Sequence, residues 1–164
     1  MAELVLLIPI AFVVAFAIPL SLTDFREHRL PNKYTLSLIA VTGVSLAGYS
    51  LATSQYKKLA ASFLVMALTF LVGWLLARFA DLGMGDVKLM TSLNGWLAWH
   101  DGWLILIALA IGLLAANVFA IGVWIKKKDP KEHVALGPFL LLGFCLAAIS
   151  PSWQILTAVG ESLA

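Results

Sequence analysis

Two aspartates have the residue types and the setting for acid–base chemistry. Asp24 lies in D-F-R-E-H-R-L-P-N, and Asp86 lies in G-M-G-D-V-K-L. Carboxyl groups that share a site cannot both ionise comfortably. One pKa rises, and the pair holds a single proton near neutral pH. The ionised member can then take a proton from water as it attacks a carbonyl, while the protonated member donates toward the carbonyl oxygen. Gly83 and Gly85 precede Asp86; glycine permits positive φ and the close approach of another chain. Each aspartate also has a plainer explanation: Asp24 as a solvated charge beside Glu27, Asp86 as an N-cap. Chemistry requires the two to converge.

The elements that must position them follow from composition. Of 164 residues, 62% are hydrophobic and 12% charged, with mean hydropathy +0.97, whereas soluble domains carry about a quarter charged residues. So apolar a chain has lipid as its solvent, and in hydrocarbon each backbone polar group must be satisfied within its own segment. The expectation is an all-α membrane protein, residues 1–164 forming one integral-membrane domain. Apolar runs are placed at Leu4–Leu22, Tyr34–Ala52, Leu59–Ala77, Val87–Trp99, Gly102–Ile125 and Val134–Ile149, giving a bundle of about six spans. The fourth is short and polar for a full span, with Thr91, Ser92, Asn94 and Gly95, and is expected to pack inside the bundle. The tail from Pro151 is too short to return across the membrane. Glu3 stands where a signal peptide would be basic, so the first run reads as a retained helix.

Six spans place Arg26, Arg29, Lys33, Arg78, Lys88, Lys126, Lys127, Lys128 and Lys131 on one side, and only Lys57 and Lys58 on the other. The positive-inside rule assigns the first side to the cytoplasm. Both termini are then outside, and both aspartates lie at the cytoplasmic face, Asp24 just past the first helix and Asp86 opening the fourth.

Other residues receive simpler readings. The six tryptophans form interfacial belts, with Trp96, Trp99, Trp103 and Trp153 toward one face and Trp74 and Trp124 toward the other. Asn117 bonds a neighbouring helix. His28, His100 and His133 are surface histidines without metal spacing, and Cys145 is a small apolar side chain with no disulfide partner. Lys88 is either an inner-face anchor or a group tuning Asp86. Asp81 either holds a basic ligand or is simply solvated, and Lys126–Lys128 anchor to anionic lipid.

Taken together these residues resemble the type IV prepilin peptidases and the related archaeal preflagellin peptidases, which are GxGD intramembrane aspartyl proteases. The resemblance rests on Asp24 followed by Leu30, Pro31 and Asn32, on Gly83, Gly85, Asp86, Lys88 and Leu89, and more weakly on Gly137 to Leu140 (G-P-F-L) opening the last helix. It covers essentially the whole chain in span count and motif order. It implies Asp24 and Asp86 as the catalytic pair, with Pro31, Asn32, Gly83, Gly85, Lys88, Gly137 and Pro138 around the substrate. The implied substrate is a pilin-like precursor whose short basic leader precedes a hydrophobic N-terminal helix. The implied setting is a bacterial or archaeal cytoplasmic membrane. No cofactor, metal or nucleic acid enters this reading, and oligomeric state is open. Bifunctional relatives carry a cysteine-paired cytoplasmic domain and methylate the new terminus, so with one cysteine in the sequence methyltransferase activity is not expected. The rival from another class is a small proton- or cation-coupled transport subunit that uses the same two carboxylates.

Overall fold

The computed structural model describes residues 2–27, 31–79, 82–127 and 136–163. His28, Arg29, Leu30, Asp81, Lys128, Lys131 and His133, and the side chains of Arg26, Trp124, Lys126 and Lys127, lie outside the described residues. A 3-10 turn at Ala2–Leu7 leads into α1 (Ile8–Glu27). It is followed by α2 (Asn32–Thr53), α3 (Tyr56–Phe79), α4 (Met84–His100), α5 (Trp103–Lys127) and α6 (Gly137–Leu163).

Five stretches are long and apolar enough to cross a membrane: Glu3–Asp24, Asn32–Thr53, Tyr56–Phe79, Trp103–Val123 and Gly137–Glu161. The sixth helix of the expected bundle is α4. Its 17 residues extend about 26 Å, short of the roughly 30 Å hydrocarbon core. It is sheathed by the others, with Val87, Leu89, Trp96 and Leu97 fully buried. The chain is an all-α membrane protein.

Side chains are arranged for a lipid solvent. Val44, Ile18 and Val118 are each at least 70% exposed, whereas Thr42, Ser45, Ser62, Thr91 and Ser92 are buried. Two of the inward hydroxyls bond their own helix, Thr91 Oγ1 to Val87 O (2.8 Å) and Ser92 Oγ to Leu89 O (3.1 Å), while Ser62 Oγ has no partner among the described residues. Close helix approach replaces the hydrophobic drive that water would supply. On α6, a Cβ at Gly143 would collide with Ala108 O and lie 2.8 Å from Gly112 N, so α5 and α6 meet backbone to backbone.

The structure revises several expectations. Asp24 is not past the first helix; it lies in the last turn of α1, which runs on to Glu27. The last helix does not stop at Ile149 but continues through Pro151 to Leu163. Proline forfeits only the bond to the carbonyl four residues back, while ending the helix in hydrocarbon would expose several groups. Trp96 and Trp99 are not belt residues. They are 0% and 3% exposed, and the Trp96 indole donates to Leu6 O at 2.7 Å, pinning α4 to the N-terminal turn. Trp74, Trp103 and Trp153 do face outward. Asn117 bonds Leu113 O of its own helix (2.7 Å) rather than a neighbour. His100 is half-buried and packed against Trp96, with ring centroids 4.4 Å apart and ring planes tilted by 49°, so it is no surface histidine.

Candidate active site

Three sequence-distant segments meet at the end of the bundle where α1 finishes and α4 and α6 begin. Asp24 reaches it from the last turn of α1, and its side chain is buried, 4% exposed. Asp86 is the third residue of α4, with Gly83 as N-cap. Its carboxylate is therefore not the cap that the simpler reading made it. Gly137 opens α6, and its free backbone N–H donates to Asp24 Oδ2 at 3.0 Å. The first N–H groups of a helix have no partner within the helix and are suited to an anionic acceptor.

Gly137 is also the ruler for the pair. A Cβ there would lie 2.7 Å from Asp24 Oδ2 and 3.4 Å from Asp86 Oδ1. Both carboxyl groups thus stand within contact range of one backbone position. Gly83 closes the other side, where an added Cβ would lie 3.0 Å from Asp86 Oδ2. The glycines serve by having no side chain. The positive φ expected of Gly83 and Gly85 is absent: no described glycine has one, Gly83 has φ −63° and ψ 129°, and Gly85 belongs to the first turn of α4.

The electrostatics follow from this crowding. Asp86 lies outside the five long spans, and its pKa is raised to about 7, first by burial and second by the charge of Asp24. Its position at a helix N-terminus favours the carboxylate, but burial outweighs that. Asp86 Oδ1 is buried and has no hydrogen-bond partner among the described residues. A carboxyl near neutrality beside a second one can both give and take a proton at pH 7.

The remaining candidates divide. Lys88 Nζ donates to Asn32 Oδ1 at 2.6 Å, bracing the start of α2 against α4. Pro31 is the N-cap of α2, its carbonyl accepting from Tyr34 and Thr35. Asn32 and Lys88 therefore join α2 to α4 and Pro31 starts α2, while Asp24, Asp86, Gly83 and Gly137 form the crowded centre. Pro138 sits in the first turn of α6, where a missing N–H costs nothing. No group of three or more His, Cys, Asp or Glu suited to a metal exists among the described residues. The Gly137 amide is the element that sequence reasoning missed as a partner of Asp24. The only signal was the G-P-F-L opening of α6.

Comparison with known proteins identifies the family. The profile of the type IV leader peptidase family matches residues 11–152. A prepilin leader peptidase/N-methyltransferase of Escherichia coli (strain K12) is 30% identical over 130 residues, covering 78% of this chain and 56% of that protein. Proteins of the same name from Pectobacterium carotovorum subsp. carotovorum and Burkholderia pseudomallei (strain 1026b) are 28% and 29% identical, over 79% of this chain and 47% and 42% of their own lengths. The chain spans about half the length of the curated relatives it matches. No solved structure matches it significantly. With a profile match running from within α1 to within α6 and all three blocks gathered at one end of the bundle, the chain belongs to the type IV leader peptidase family.

Proposed function

We propose that the chain is an intramembrane aspartyl endopeptidase that removes the short basic leader of pilin-like precursors at the cytoplasmic membrane face. The observation that carries this reading is the placement of Asp24 and Asp86 on either side of Gly137, with Asp86 raised to about 7. Asp86 holds the shared proton and donates it to the carbonyl oxygen of the scissile bond. Asp24 accepts a proton from the attacking water. The tetrahedral diol then collapses: the C–N bond breaks, the proton gained by Asp24 passes to the leaving amine, one diol hydroxyl returns its proton to Asp86, and a new carboxyl and a new amino terminus result. The Gly137 amide fixes the Asp24 carboxylate while protons move around it.

The carboxylates stand at one end of the bundle rather than at mid-span, which favours a peptidase over the coupled transport subunit, for which a mid-membrane site is usual. In a cytoplasmic membrane, the end that carries Lys33, Arg78 and Lys88 together with the carboxylates faces inward, and both termini face outward. A precursor whose apolar helix lies in the bilayer then presents its preceding bond at the depth of the pair. The peptidase half of the relatives' name is the half that this site supports.

The test is co-expression with a pilin-like precursor, reading leader removal as a gel shift for wild type, Asp24→Asn and Asp86→Asn. Wild type should cleave and both variants should lose at least about 10²-fold. Cleavage undiminished in either variant would sink the aspartyl reading. A proton flux in proteoliposomes that needs both aspartates, without cleavage, would turn the assignment to transport.

A further inference from the structure

A cleft between α3 and α5 is lined by none of the site carboxylates but by chain neighbours of the site, Leu82 and Val87. α3 packs extensively on α4, and α5 on α6, whereas α4 and α5 meet much less. This leaves an apolar cleft of about 290 Å³ floored by α4. Leu68, Val72 and Leu76, one turn apart on α3, form one wall; Ile105 and Leu109 of α5 form the other. The three α3 side chains are about half exposed (50%, 54% and 46%), so the cleft opens sideways toward lipid.

Its inner end identifies the occupant. Leu82, at that end, immediately precedes the N-cap Gly83, and Val87 of the floor immediately follows Asp86. A peptide lying across the carboxylates can therefore continue along the cleft without leaving the protein surface, running parallel to α4. One polar pair interrupts the apolar lining. Asn94 Nδ2 donates to Thr69 Oγ1 at 3.4 Å, a long bond, and both residues line the cleft. Asn94 is eight residues beyond Asp86, about 12 Å along the helix. In hydrocarbon a weakly bonded carboxamide gains from a further partner.

We propose that the apolar helix of the precursor, just downstream of the scissile bond, lies against this cleft and inserts side chains of one face into it, and that Asn94 meets a hydrogen-bonding side chain about two turns into that helix. The proposal rests on the peptidase reading. The cleft then sets which precursors bind, and the carboxylates cut whatever it aligns.

The test places a photo-crosslinking residue at Val72 or Leu109 in the cleft, or at the lipid-facing controls Val44 and Val118, in the full chain carrying Asp86→Asn. The probe is a precursor made of a lysine-rich leader joined to an apolar helix of about 20 residues, whose cleavage by wild type is measured in parallel. Crosslinks to the precursor from 72 and 109, and not from 44 and 118, are expected. In otherwise wild-type enzyme, Val72→Trp should raise KM about fivefold or more with kcat within about twofold, the pattern of lost ground-state binding. Cleavage accompanied by precursor crosslinks at the controls, by lipid or self-crosslinks alone from the cleft, or by an unchanged KM in Val72→Trp overturns the docking site and leaves the peptidase reading intact. Absence of cleavage by wild type overturns both.

Discussion

At the scale of single residues the decisive quantity is the free energy of a charge at the Asp86 carboxyl. Burial and the neighbouring Asp24 raise its pKa from 3.8 to about 7. A raised carboxyl pKa means that the folded chain keeps a proton the unfolded chain has already released. Between about pH 4 and pH 7 stability therefore falls as pH rises, and above pH 7 the penalty is constant. Asp86→Asn removes it: the variant should melt higher than wild type at pH 8, by at most on the order of 4 kcal/mol, and match it near pH 4, as thermal unfolding in detergent at the two pH values would reveal. Cleavage should follow the same titration, falling above about pH 7 once the second proton leaves the pair and falling again in acid when both carboxyls are protonated. Gly137 is equally exposed to test. A methyl there would press on Asp24 Oδ2 at 2.7 Å, so Gly137→Ala should lower cleavage about tenfold or more with melting little changed, by gel-shift rates alongside circular dichroism.

Helices act on the site as whole elements, and two contacts set their spacing. The Lys88–Asn32 bond joins α4 to α2. Lys88→Met should lower stability by about 1 kcal/mol, the usual worth of one such bond, and should reduce cleavage far less than either aspartate variant. An equal loss would mean that Lys88 acts at the carboxylates themselves. The α5–α6 contact is stricter, because Gly143 lies against Ala108 O and Gly112 N. Gly143→Val should separate these helices and cost about 1–3 kcal/mol by overpacking. It should also shift Gly137, since α6 carries both glycines on one rigid rod. A variant that melts like wild type would show that the helices part without cost.

Across the whole molecule the two ends differ in charge. Lys33, Arg78 and Lys88 share the end of Asp24 and Asp86, while Lys57, Lys58 and Glu3 lie at the other. With Cys145→Ala as background, a cysteine at Lys33 or Arg78 should react with an impermeant thiol reagent only from the cytoplasmic side, and one at Lys57 only from outside; the reverse pattern would invert the proposed orientation. Much of this molecule was legible in sequence. Composition alone determined the solvent, because 12% charged residues cannot cover a chain of this size in water. Run lengths determined which segments are helical and that the fourth is short and inside. Residue identity in D-x5-L-P-N and G-M-G-D marked the two carboxyls and the glycines beside them. Tertiary structure alone decided that Asp24 and Asp86 converge across Gly137, that a backbone amide of the last helix holds Asp24, that Trp96 is core and not belt, and that an apolar cleft opens between α3 and α5. The reason is physical. In a bilayer the lipid face and the packed face of a helix are both apolar, so the pattern that orients a helix in a soluble protein carries little direction here. Which faces meet is settled by close fit between backbones and a few polar bonds, and those exist only once distant segments are side by side.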